Sequence, residues 1–410
     1  MHAAEPTESD RSVPGLTVAG VAMIGVAFGF ARYGWGLFLP SLRDDFGLSI
    51  AQTGLISSAA YAGYLLALVA VGAAVARTGP RPLIIAAGVS ATAGLALVAA
   101  APGVAALVAG VVLAGASSGL AWAPYSDVVQ TAVPEHSREH VLGVLPSGTA
   151  WGVLVAGPLA LVAAGSGWRI AWWAFAASAL LVTVWNARVL PSSAGRQVRP
   201  PDRVGLSLFL RGRAVPLYLT ALSYGITGSV YWLFAVQAVT DATSAGGSAP
   251  ALLWTLIGLS GITGALTGRV IKRRGLRATH TLLLSVLTTA IALLAAAPGN
   301  HAAIALSGSL YGTTFMAISG LLAVWSYQVF PHHPATGFSG TVFFLGIGTI
   351  IGPAALGTVA ATRGLPATLW ATAAIAALTL PLRPNQQSLT THPGQRTAAT
   401  TSPPPASRRP

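Results

Sequence analysis

Long apolar runs alternate with short polar punctuation along this chain, and the lengths of the runs decide what kind of protein it is. Helical passage through a bilayer takes about 20 mostly apolar residues. Twelve stretches meet that need: 16–39, 50–75, 82–101, 103–131, 139–164, 169–190, 214–240, 250–271, 278–297, 301–329, 336–361 and 366–382. The last is short, and the runs at 103–131 and 301–329 are long enough to tilt. Each run is continuously apolar, whereas barrel strands would alternate over about 10 residues. The expected fold class is therefore an all-α membrane protein with 12 transmembrane helices and the lipid bilayer as its solvent.

The punctuation divides the runs into six and six. Residues 191–213 are rich in Pro, Gly and Arg. The expected organisation is a cytoplasmic N-terminal tail (1–15), a six-helix bundle (16–190), a basic cytoplasmic linker (191–213), a second six-helix bundle (214–382) and a polar, Pro-rich disordered tail (383–410). The halves also repeat. Gly72, Arg77, Gly79 and Arg81 recur as Gly268, Arg273, Gly275 and Arg277, each 196 residues on, and Gly157-Pro158 recurs as Gly352-Pro353 at an offset of 195. Such parallel repeats characterise transporters that rock two bundles about a midplane site.

Composition strengthens this picture. Only 8% of the 410 residues are charged and 53% are hydrophobic, with mean hydropathy +0.67. A soluble surface needs about 25% charged residues. A net charge of +13 would suggest nucleic acid in a soluble protein, but here the basic residues lie between apolar runs and no nucleic-acid partner is expected. With the N-terminus in the cytoplasm, the outside loops hold Arg43, Arg169 and Arg363, and Arg32 lies within a span, which leaves 19 of the 23 basic residues cytoplasmic. The positive-inside rule asks for that asymmetry. The acidic, polar start is unlike a signal peptide. All but Lys272 of the basic residues are arginine, a bias associated with high-GC bacteria. A multi-pass protein of the bacterial inner (plasma) membrane, with both termini cytoplasmic, is expected. With no cysteine, disulfides and thiolate metal sites are excluded.

Over residues 16–382 the sequence resembles the major facilitator superfamily. The segment Gly72–Arg81 is similar to that family's signature loop through Gly72, Arg77, Gly79 and Arg81, with Gly268, Gly275 and Arg277 as its second copy. Gly157 and Pro158, with Gly148 before them, resemble its antiporter motif, in which glycines permit close helix packing. The chain departs from the family at Ala76, where an aspartate is usual, and in 103–131, which lacks the usual arginine. Coupling through that charge network is not implied. The run Phe28-Gly-Phe-Ala-Arg32-Tyr33 with Leu39-Pro40 is faintly similar to the cyanate-permease-like branch. The resemblance implies two pseudo-symmetric bundles and alternating access, with the paired loops and the Gly-Pro turns at the gating elements.

Candidate chemistry is sparse. An ionisable group within a span costs about 2.5–3.5 kcal/mol on insertion scales, so it is rarely idle. Arg32 is the deepest, and reads as an anion-binding group or as a structural arginine satisfied by helix carbonyls or by Asp44 or Asp45. Asp127, a turn from the end of its run, reads as a proton-coupling acid or as a partner of Arg77 or Arg81. Tyr33, Tyr61, Tyr64, Tyr125, Trp151, Tyr224, Tyr231, Trp232 and Tyr311 are amphipathic rings suited to an apolar cavity with polar handles. Each could equally pack between helices or sit in an interfacial belt. Trp35, Trp122, Gln237 and Trp254 share that composition. His136-Ser-Arg-Glu139-His140 matches an H-x-x-E-H protease pattern, but no further ligand follows until Asp202. Gly346-Ile-Gly348 lacks a βαβ frame. With no Walker loop, an enzyme or ATP-driven pump is not expected, and no metal or cofactor is required.

The functional expectation is gradient-driven alternating-access transport of a small solute, an anionic or polar metabolite, coupled to protons and carried out by a monomer. Export of hydrophobic or cationic compounds is the alternative, and a non-transporting sensor a remote third.

Overall fold

The computed structural model describes residues 8–163, 167–192, 212–243 and 248–384. Most of the expected linker and nearly all of the C-terminal tail lie outside the described residues. Eleven described helices are long and apolar enough to cross a membrane. They are α1 (Val13–Arg32), α2 (Ile50–Thr78), α3 (Pro80–Ala100), α4 (Val104–Ala132), α5 (Glu135–Val162), α6 (Trp168–Val189), α7 (Val215–Ala242), α8 (Ala249–Arg274), α9 (Leu276–Ala296), α10 (His301–Val329) and the long helix Pro334–Leu378. Gly364 breaks the last with φ 81° and ψ 168°. Its parts, α11 (334–363) and α12 (365–378), bring the passages to twelve. No strand occurs among the described residues.

Helices suit this chain because apolar surroundings leave backbone groups no partner but one another. Ser and Thr hydroxyls inside the spans turn back on their own helix, as Thr92 does to the Gly88 carbonyl (2.8 Å) and Thr372 to that of Thr368 (2.7 Å). Polar caps set the starts. Ser49 and Gln52 form a reciprocal capping box at α2, and the Asn300 side chain accepts from the Ala302 and Ala303 amides at α10.

The internal repeat is visible in the backbone. Gly79 (φ 73°) ends α2 and starts α3, and Gly275 (φ 78°) ends α8 and starts α9. Both lie in a region that favours glycine. Gly72 and Gly268 differ: they sit inside helices with open space where a side chain would go, so neither makes a tight turn against a neighbour. The stretch with the H-x-x-E-H pattern is helical, as Glu135–Val144 forms the first part of α5.

Two seams join the halves. In one, a side chain on Gly54 of α2 would strike the Pro353 carbonyl of α11, and Ser58 donates to the Ile350 carbonyl (2.7 Å). In the other, Gly157 of α5 abuts Thr255 of α8, and Gly258 abuts Leu154. Both seams lie between the middle of the bundle and the end carrying Gly47 and Asp241, here called the far end. Toward the opposite end, which carries Gly79 and Gly275, Glu8–Ile24, α4, Glu135–Val144 and Thr267–Arg274 make their main packing contacts within their own half. The contacts between the halves described above thus lie toward the far end.

Candidate functional site

The site begins with an irregularity in α1. Past Ile24 the helix widens to a π-helix over Gly25–Arg32, and a short helix at Gly34–Leu37 follows before Leu39–Phe46. Single π turns often mark functional positions. Gly25 and Gly29 let this wide segment lie against Gly148 and Gly152 of α5 without intervening side chains. The consequence is local. Arg32 and Trp35 both reach one cavity, while Tyr33 meets Trp232 of the second half.

Arg32 points among rings. Its guanidinium carbon lies 3.9 Å from the Tyr64 ring centroid, 4.9 Å from Tyr61, 5.6 Å from Phe28 and 5.8 Å from Tyr33. Desolvated cation–π contacts contribute about 2 kcal/mol, which offsets much of the cost of the buried charge. Nη1 also donates to Ser118 Oγ (3.3 Å), whose own hydroxyl donates to the Gly115 carbonyl. Nε is buried with no acceptor. No carboxylate pairs with Arg32 among the described residues. Asp45 instead pairs with Arg169 at the far end (2.5 Å).

A cavity of about 10 Å³ opens beside the guanidinium, lined by Arg32, Trp35, Ser57, Ala60, Tyr61, Tyr64 and Gly115. That is room for about one water molecule, so the site is contracted in this conformation. Every lining residue belongs to the first half.

The second half contributes an aromatic cluster on the other side of Tyr33. Trp232 stacks on Tyr33 with centroids 4.2 Å apart, and packs edge-on to Trp254, Tyr311 and Phe315. Tyr231 stacks on Tyr311 at 3.8 Å. The phenols are engaged: Tyr224 donates to the Phe315 carbonyl (2.5 Å), Tyr311 to that of Gly228 (3.1 Å), and Tyr231 pairs with Ser307 Oγ (2.7 Å). The indole N–H groups of Trp232 and Trp254 are buried without acceptors. Glycine makes the close approach possible, since any side chain on Gly36 would overlap the Trp232 carbonyl.

Of the residues expected at a binding cavity, the structure gathers Arg32, Tyr33, Tyr61 and Tyr64 around the guanidinium, with Tyr224, Tyr231, Trp232 and Tyr311 in the adjoining cluster. Two others lie elsewhere. Tyr125 is buried inside the first half, bonded to Asn186 Oδ1, while Asn186 Nδ2 donates to the Ala19 carbonyl (3.1 Å). Its role there is to tie α1, α4 and α6 together. Trp151 is 49% exposed, on a stripe with Val155, Pro158 and Val162 that continues to the far end. That stripe is the outer surface, because the other faces of α5 meet α1 and α8.

The expected gating residues also separate. Gly79, Gly275 and Gly157 hold backbone positions that need a glycine, whereas Pro158 faces outward and Arg77 and Arg277 are exposed. Arg81 donates to the Ala187 carbonyl at the end of α6 (2.7 Å). Asp127 is half-buried and has no ion pair among the described residues, so no bridge to Arg77 or Arg81 forms. It lies nine residues beyond Ser118 on α4, about 13 Å toward the motif end. Sequence reasoning left out Phe28, Ser57, Ser118 and Phe315. The neighbouring Ser117 and Ser118 in an apolar run were the available signal.

The family described as uncharacterised MFS-type transporter YbfB matches residues 24–382. The human monocarboxylate transporter 11 is 31% identical over 260 residues, which cover 61% of this chain and 54% of that protein. The match thus spans about half the length of that relative. Among solved structures, a bacterial homologue of the human lysosomal transporter Spinster, inward-facing and occupied, superposes with a TM-score of 0.72 at 15% identity. It covers 93% of this chain and 97% of that one. The nucleoside transporter NupG, as a point mutant, gives 0.72 at 12% identity, with 89% and 98% covered. These two show the shared fold. The similarity to a cyanate-permease-like branch gains no support from these matches.

Proposed function

The chain belongs to the major facilitator superfamily, within the MFS-type transporter group described as YbfB, and we propose that it moves a small organic anion by alternating access, with Arg32 holding the anionic group. It is a multi-pass membrane transporter and not an enzyme. The observation that carries the proposal is the unpaired Arg32 beside a midplane cavity, ringed by aromatic faces and without a carboxylate partner among the described residues. A guanidinium in a low-dielectric site attracts an anion strongly, and its planar fork suits a carboxylate. The human relative is by name a monocarboxylate transporter, in keeping with an acidic cargo.

Access alternates by rocking the halves about the α2–α11 and α5–α8 seams. We read the conformation described as open toward the motif end. We place that end in the cytoplasm, where most of the basic residues would then lie, and take the transporting unit to be one chain, since the cavity is complete within it. Coupling is to protons in this reading, with Asp127 on the open side as the group that carries them.

Flux into proteoliposomes under an imposed pH gradient tests the proposal. Accumulation of a small organic anion, lost in Arg32→Ala, is expected. Export of hydrophobic cations that survives Arg32→Ala would instead establish the alternative, which the aromatic cluster also suits but which the arginine opposes by repulsion.

A further inference from the structure

Buried polar atoms without partners are uncommon and ask for a reason. Around the cavity they are all donors. Arg32 Nε, Trp35 Nε1 and Trp232 Nε1 are buried with no acceptor. Arg32 and Trp35 line the same cavity, and Trp232 stacks on the intervening Tyr33. The lining hydroxyls of Ser57, Tyr61 and Tyr64 can donate as well as accept. The surplus outlines a fitting ligand, one that brings acceptors to Arg32 and Trp35.

Charge sharpens the outline. Arg32 is the only basic residue of the cavity lining, and the lining contains no carboxylate. A second anionic group would find no cation, and an ammonium would find no acid. A dianion and a zwitterion would each bury an uncompensated charge, which is costly in a site of this kind. The rest of the lining is largely aromatic, with Trp35, Tyr61 and Tyr64 bordering the cavity and suited to a flat apolar body.

We propose that the site selects a single carboxylate carried on an aromatic or similarly flat apolar frame, with Trp35 Nε1–H as the second anchor of the carboxylate beside Arg32, and that it rejects dicarboxylates and amino acids. This selectivity rests on the anion-transport reading above.

Purified full-length protein in detergent is titrated with benzoate, succinate and phenylalanine, binding being read from the shift in thermal unfolding and from competition with labelled benzoate. Benzoate is expected to bind at least tenfold more tightly than the other two. Trp35→Phe keeps the ring and loses the N–H, and should weaken benzoate about tenfold, as expected for a hydrogen bond to a charged group. Trp35→His restores a ring N–H and should recover part of the loss, while unchanged helicity and elution volume establish that the variants fold. Succinate or phenylalanine matching benzoate, or Trp35→Phe binding benzoate as wild type does, overturns the selectivity while anion transport through Arg32 stands. Binding of none of the three overturns both.

Discussion

The Tyr33 ring lies flat against the Trp232 indole, with centroids 4.2 Å and planes 20° apart, and this contact joins the two halves of the transporter beside the cavity. Tyr33 directly follows Arg32, so the residue that holds the charge and the residue that closes the far side move on one piece of backbone. In the proposed mechanism, loading of the cavity and opening of the far end would thereby be mechanically linked.

That linkage predicts a gate. An aromatic pair contributes about 0.5–1.5 kcal/mol beyond its buried area, and 1 kcal/mol changes an equilibrium about fivefold. Because the chain has no cysteine, Ser57→Cys provides a single thiol in the cavity. A membrane-impermeant maleimide applied at the far side should label it slowly. Adding Trp232→Ala should raise the rate several-fold, and an unchanged rate would show that the stack does not seal the site.

The Tyr64 ring, rather than its hydroxyl, should stabilise Arg32. Tyr64→Phe is expected to leave the thermal midpoint close to wild type, whereas Tyr64→Leu, which removes the closest cation–π contact, should cost about 1–2 kcal/mol. Equal losses in both variants would assign the effect to the phenol instead.

Charge alone should not suffice at position 32. Lysine keeps the charge but lacks the planar fork and the flat stacking face. Arg32→Lys should therefore bind anion about tenfold more weakly or worse, and Arg32→Ala should abolish binding. Wild-type affinity in the lysine variant, measured by the same titration, would reduce the site to a point charge.

Tyr125 should behave as a structural residue. Tyr125→Phe leaves the buried Asn186 side chain one partner short, at a cost of about 1–3 kcal/mol, seen as a lower midpoint. The KM for transport should be unchanged. A raised KM with unaltered stability would return Tyr125 to the cavity.

The α2–α11 seam is closed in this conformation, and Gly54 makes that closure possible. Gly54→Leu should disfavour the far-sealed state and slow turnover while anion binding persists. Turnover at the wild-type rate would show that the seam can close around a large side chain.

Several of these features are legible in the amino-acid sequence. Gly79 and Gly275 stand 196 residues apart in matched surroundings, and both adopt positive φ at corresponding helix junctions. Arg32 stands out because a charge in an apolar run is expensive. Tyr61 and Tyr64, a turn apart on α2, do meet it. Tyr125 and Trp151 are not separable by sequence from true cavity residues, since helices that are apolar on every side do not reveal which face meets lipid, a neighbour or a cavity. The pseudo-repeat misleads in the same way: Pro353 is buried in its seam, whereas its counterpart Pro158 faces outward.

By itself, the sequence determined that the chain crosses a membrane twelve times in two related halves, because run length and the cost of burying charge depend only on local composition. Tertiary structure alone decided which side chains surround Arg32, which half lines the cavity and where the halves meet. Those outcomes depend on a π-helical turn at Gly25–Arg32 and on glycine contacts between distant helices. No periodicity within a single span encodes either.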